Sequence, residues 1–289
     1  MLVACAGPGA APGSTRTPDQ ASNPARGARL GTLPAGSLGT TELAGVRGEI
    51  ALFLLVDSAL VAGRIPPEVE VPRLRRLAAT DSTAADYLAA HPDRGSWVWT
   101  MLAFASLDSV SEDKRVPHPP VNDAFWWMWS RPVPELDARA LGTDWAIELA
   151  WWVDDPERAR YLQGLGSSVQ HGRVLVEQAD DGLWRLGLEG AGLRVRATCR
   201  LEGERAPDAY PLPAYTTVWE GGADLDFFTV FTYAGHHSQP CSADWSSDGQ
   251  HPLARALRAV TPEEMAEFPG SAPVVQDGWR ARAAFYRRR

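Results

Sequence analysis

Strand-length apolar runs separated by turn residues recur along most of this chain, and that spacing limits the folds open to it. Residues 48–57, 97–104, 124–130 and 147–153 are such runs. Residues 173–178, 183–188 and 193–201 follow as a series with tight turns at Asp181-Gly182 and Gly190–Gly192. Residues 214–220, 226–233 and 281–286 bring the total to about ten strands. Helical signals are fewer. They cover residues 81–90, capped by Asp81 or Ser82; residues 154–162, with Pro156 in the first turn; residues 252–260; and a short turn at 58–64. Residues 109–120 and the Ser/Asp/Gly-rich stretch around Cys241 read as loops. Many closely spaced strands with few helices predict a single α+β domain, mostly antiparallel β, built as a barrel or a sandwich.

At 289 residues the chain is long enough to bury a large core. Its net charge of −8 argues against nucleic acid as a partner, because phosphate binding needs a basic face. No run of 18 apolar residues is present, so no helix is expected to span a membrane. Twelve tryptophans suit a wide β core, with pocket lining as the lesser role.

The first 37 residues differ from the rest. They are rich in Gly, Pro, Ala and Ser, cannot bury a core and read as a flexible tether to a domain over 38–289. Leu2-Val3-Ala4-Cys5 matches the pattern in which a cysteine is lipidated, which would make the chain an envelope or periplasmic lipoprotein anchored at Cys5. A signal peptide needs an apolar segment of about 7–15 residues upstream. Only four residues precede Cys5, so this reading also requires an earlier start; without it the protein is expected in the cytoplasm. Cys199 and Cys241 form either a disulfide or two separate thiols.

Three segments resemble the acetoacetate decarboxylase superfamily. Residues 52–71 run Leu-Phe-Leu-Leu-Val-Asp-Ser-Ala-Leu-Val-Ala-Gly-Arg-Ile-Pro-Pro-Glu-Val-Glu-Val, similar to that family's strand, short helix and proline step. Residues 146–166, with Gly192–Thr198 beyond them, resemble the elements that flank the catalytic lysine. His251-Pro-Leu-Ala-Arg-Ala-Leu257 resembles the late helix. The resemblance implies a cone-shaped, closed or partly closed barrel with a few flanking helices and a central pocket. It also implies imine chemistry on a lysine, and there the chain departs. Lys and Arg together number 28, of which one, Lys114, is lysine, in a polar loop with Glu112, Asp113 and Arg115. The lysine's expected place falls near Gln170 or His171, and the family's substrate-binding arginine falls at Leu55.

Candidate functional residues follow from that comparison. His171 and Glu148 are the candidate acid/base groups, with Gln170, Arg173, Trp151 and Trp127 as candidate ligand contacts. His171 reads equally well as part of a polar turn, and Arg173 as an ordinary surface arginine. Glu148 is a buried acid if it points inward; strand alternation slightly favours outward. His236 and His237 read better as a loop pair than as metal ligands, and neither a metal site nor a cofactor is expected. The expected partner is a small organic ligand, carboxylate or apolar. Any enzyme activity would be lyase-like, by acid/base chemistry without an imine. The alternatives are a ligand-sequestering or a purely structural lipoprotein.

Overall fold

The computed structural model describes residues 30–66, 69–113, 120–131, 137, 139–141, 144–207, 214–221, 226–234, 237–268, 273–278 and 280–288. Cys5, Lys114 and His236 lie outside them.

In chain order the first strands are β1 (Gly39–Val56), β2 (Val98–Glu112), β3 (Val121–Trp129), β4 (Asp144–Val153) and the two-residue β5 (Gln170–His171). Next come β6 (Arg173–Gln178), β7 (Leu183–Gly190), β8 (Leu193–Leu201), β9 (Ala206–Pro207) and β10 (Ala214–Glu220). The series ends with β11 (Phe227–Ala234), β12 (His237–Gly249), β13 (Val274–Asp277) and β14 (Arg280–Arg287). Short helices lie between them: α1 (Ser58–Val61), α2 (Leu74–Leu77), α3 (Ser82–Ala90), α4 (Pro156–Leu165), α5 (Pro252–Ala259) and α6 (Pro262–Glu267).

Seven strands close into a barrel in the order β14-β11-β10-β4-β3-β2-β1, with β1 returning to β14. Neighbours are antiparallel except β4 and β10, which run parallel. The length of β1 lets it serve two sheets. Gly39–Leu43 pair with β14 and close the barrel, while Glu49–Ala51 pair with β13 and start a second sheet, β13-β12-β8-β7-β6. That sheet packs through β6 against β2, β3 and β4, where Trp152, Trp184 and α5 fill the space between. The ring of Trp184 lies where a side chain on Gly48 would project, so the close approach needs glycine at that point in β1.

Local chemistry sets the helix that matters most for the site. Asp155 caps α4 by accepting from the Glu157 and Arg158 amides at 2.7 and 3.1 Å; Pro156 opens the first turn, and Gly166 ends it at φ 109°. Arg158, Ala159 and Leu162 are thereby buried, while Tyr161 and Leu165 meet Gly39. The helix lies across one end of the barrel.

Two expectations need correction. Cys241 is not in a loop but in the 13-residue strand β12. Its Ser/Asp/Gly content is the solvent face of a paired strand: Ser242, Asp244, Ser246 and Asp248 are exposed, while Cys241 and Ser247 are buried. Cys199 and Cys241 are disulfide-bonded across β8 and β12, with Cα atoms 5.6 Å apart. Second, residues 109–112 belong to β2, since Val110 and Glu112 turn inward. The last part of the expected tether also touches the barrel: the Gly31 amide donates to Thr232 and the Tyr286 hydroxyl to the Pro34 carbonyl.

Candidate active site

An irregularity in β4 builds the site. Between Trp126 and Trp127 the pairing advances one residue on β3 but two on β4, from Ala150 to Glu148. Leu149 is the extra residue of a β-bulge. Glu148 and Trp151, three apart and therefore on opposite faces of a regular strand, both line the barrel's central cavity. Gly221, just past β10, fixes this stretch from the other side. Its amide donates to the Glu148 carbonyl at 2.8 Å, and a Cβ there would come within 2.6 Å of that oxygen.

The cavity measures about 40 Å3, room for about three waters. Aromatic rings form much of its wall: Phe125 and Trp127 from β3, Trp151, Phe231 from β11 and Phe285 from β14. Its polar groups are Glu49 from β1, Asp123 from β3, Glu148, Arg158 from α4, and the hydroxyls of Thr41 and Thr229.

Arg158, 2 % exposed, is held by two carboxylates. It pairs closely with Asp123 and donates through Nε to Glu112 at 3.2 Å, while Thr41 donates to the other oxygen of Glu112. Its guanidinium carbon also sits 5.5 Å from the Trp151 ring centre. Burial still holds the Asp123 carboxyl above its ordinary range, Arg158 notwithstanding.

Glu148 is 6 % exposed, and burial pushes its pKa well up, with the charge of Glu220 adding to the effect. Glu220 faces it in register on β10 and is itself raised by burial, although the Ser168 amide donates to both its oxygens at 2.9 Å. Three polar atoms on this wall have no hydrogen-bond partner among the described residues: Glu148 Oε1, Trp127 Nε1 and Trp151 Nε1. The two indoles lie beside Glu148 and Asp123 respectively, near enough to favour the charged carboxylates but not in hydrogen-bonding geometry.

Of the residues singled out in the sequence, the structure brings Glu148, Trp127 and Trp151 together and sets Gln170, His171 and Arg173 apart from the cavity lining. The expected pocket joining Glu148 to Gln170 and His171 is therefore corrected. After α4 the chain returns along the outer edge of β4, where β5 pairs with Trp152 and Val153. His171 is exposed there, its Nε2 3.3 Å from the Asp154 carbonyl. Arg173 points to solvent from β6. Leu55 is buried against Met265. Sequence reasoning missed Glu49, Asp123, Arg158 and Glu220. The signal for Asp123 was present, a lone carboxylate heading the apolar run Ala124–Trp129; Arg158 had none to separate it from the other arginines.

No protein-family model matches the chain, and no curated protein matches it in sequence. Among solved structures it is similar to acetoacetate decarboxylase from Legionella pneumophila, at 9 % identity and a TM-score of 0.51, covering 90 % of this chain and 89 % of that one. The chain has the acetoacetate decarboxylase-like fold. A second acetoacetate decarboxylase structure matches at 10 % identity and a TM-score of 0.50, covering 89 % of each chain. Among the described residues, this chain lines the interior of its barrel with carboxylates, one arginine and aromatic rings.

Proposed function

We propose that this acetoacetate decarboxylase-like barrel holds a small polar molecule in its central cavity and that Glu148 acts on it as an acid/base group, without an imine. The observation that carries the reading is the unpartnered Oε1 of Glu148, a buried residue of the cavity wall. A buried polar atom left without a partner costs about 1–3 kcal/mol, so such a wall is kept where a ligand or water completes it. An apolar ligand would leave the Glu148 oxygen unsatisfied. A carboxyl pushed toward its neutral form by burial is suited to giving and retaking a proton. The chain's one lysine, Lys114, follows Glu112 and Asp113 and precedes Arg115 in a polar stretch, which supports chemistry other than a Schiff base.

The alternative is a binding protein of the cell envelope that sequesters the same molecule unchanged. The Cys199–Cys241 bond favours that compartment, since disulfides persist in oxidising surroundings.

Thermal shift of the full chain against compounds of about five non-hydrogen atoms or fewer tests occupancy. Stabilisation by one class, weakened by Glu148→Gln, is the expected result. Incubating the stabilising compound with protein in deuterated water then separates the readings. Deuterium incorporated by the parent but not by Glu148→Gln indicates acid/base catalysis; binding without exchange indicates sequestration.

A further inference from the structure

We infer that the molecule the cavity takes is a small organic cation, of the ammonium or methylated-amine class. This rests on the reading of the cavity as a ligand site and names its chemistry.

Charge is the first argument. Glu49, Asp123 and Glu148 are on the walls, and Glu112 lies behind Arg158. Arg158, the cation of the described lining, already donates to Asp123 and Glu112. An entering carboxylate would share Arg158 with the carboxylates of Asp123 and Glu112, whereas an entering cation meets the open oxygen of Glu148. Independently of this count, Glu148 Oε1 is an unpartnered acceptor in a side chain 6 % exposed, set on the cavity wall.

The remaining wall also suits a cation. Ring centres of Phe125 and Trp127 lie 4.5 Å apart, and those of Trp127 and Phe231 6.0 Å apart, so adjoining aromatic groups bound the space. Faces of this kind attract ammonium groups. Arg158 over Trp151 shows that the interior already seats one cation against a ring. A metal ion fits less well. Among the described residues no three carboxylates or histidines come close enough to hold one, and rings occupy much of the wall. A cation of low charge density with C–H surface matches that spacing, and the volume limits it to about five non-hydrogen atoms or fewer.

The groups facing Glu148 set the pH behaviour. They are Asp123 on β3, Glu220 on β10, Glu49 on β1, Arg158 on α4 and Arg64 beyond α1. Carboxyls outnumber arginines and burial is deep, which pushes Glu148 toward its protonated form, while an arriving cation favours the charged one. Binding therefore tightens as pH rises and releases a proton.

Isothermal titration of the full chain with methylammonium, acetate and acetamide, at pH 6 and pH 8 in two buffers of different ionisation heat, tests this. Methylammonium is expected to bind most tightly, more so at pH 8, with proton release. Glu148→Gln should weaken it by about tenfold and remove the pH dependence. If that variant does not fold, Trp151→Leu should weaken methylammonium more than acetamide. Acetate binding more tightly than methylammonium, with sensitivity to Glu148→Gln, would overturn the cation and leave the cavity reading in place. No binding by any of the three would overturn both.

Discussion

Glu148 and Glu220 are register partners on β4 and β10, the parallel pair of the barrel, so the buried carboxyl of the cavity wall lies beside a second, half-buried one. In-register residues of neighbouring strands project to the same side, and two such charges cannot both form cheaply away from water. Glu220 is braced by the Ser168 amide, which leaves Glu148 as the partner with an open oxygen.

This pair gives the protein a pH-dependent stability. Both carboxyls are raised by burial, so the folded state keeps protons that the unfolded chain releases from about pH 4 upward. The stability they contribute is present at low pH and is lost as pH rises through the raised values. Glu148→Gln removes one such group. Its urea midpoint, compared with the parent's, should move in the variant's favour between pH 5 and pH 8.

Arg158 neutralises two buried acids, and removing it strands them. Arg158→Met is expected to destabilise the fold by about 3–5 kcal/mol. Adding Asp123→Asn should recover part of that loss, because one of the two stranded charges goes with it. Urea denaturation of the single and double variants measures the difference.

The Cys199–Cys241 bond closes a loop 42 residues long, worth about 4 kcal/mol by loop-closure entropy. A reductant strong enough to open it should lower the thermal midpoint. The Cys199→Ala, Cys241→Ala double variant should show the same lower midpoint with and without reductant.

His171 and Trp151 separate the sequence's view of the site from the structure's. His171→Ala, at an exposed position outside the cavity lining, should change stability by about 0.5 kcal/mol or less and leave cavity binding unaltered. Trp151→Leu should weaken that binding, as read by titration with the same ligand.

Much of the fold was legible because it depends on local pattern. The apolar runs of β1, β3 and β4 mark strands buried on both faces, and Asp155-Pro156 marks the start of α4. β12 was not legible, because one exposed face of Ser and Asp masks the alternation beneath it. Gln170 and His171 were drawn from resemblance along the chain, and β5 carries them along the outer edge of β4. Glu148 was visible as a candidate, but its direction was not, since alternation alone cannot register a bulge.

The sequence by itself determined a β-rich domain and its resemblance to the acetoacetate decarboxylases, because hydrophobic period and turn chemistry act over a few residues. Only the tertiary structure decided which side chains share the cavity. Arg158 reaches Asp123 and Glu112 across 35 and 46 residues of chain, and Glu148 meets Glu220 through a parallel pairing that no local rule specifies. Such meetings are set by barrel closure and by one inserted residue in β4, which turns a carboxylate from one face of the strand to the other.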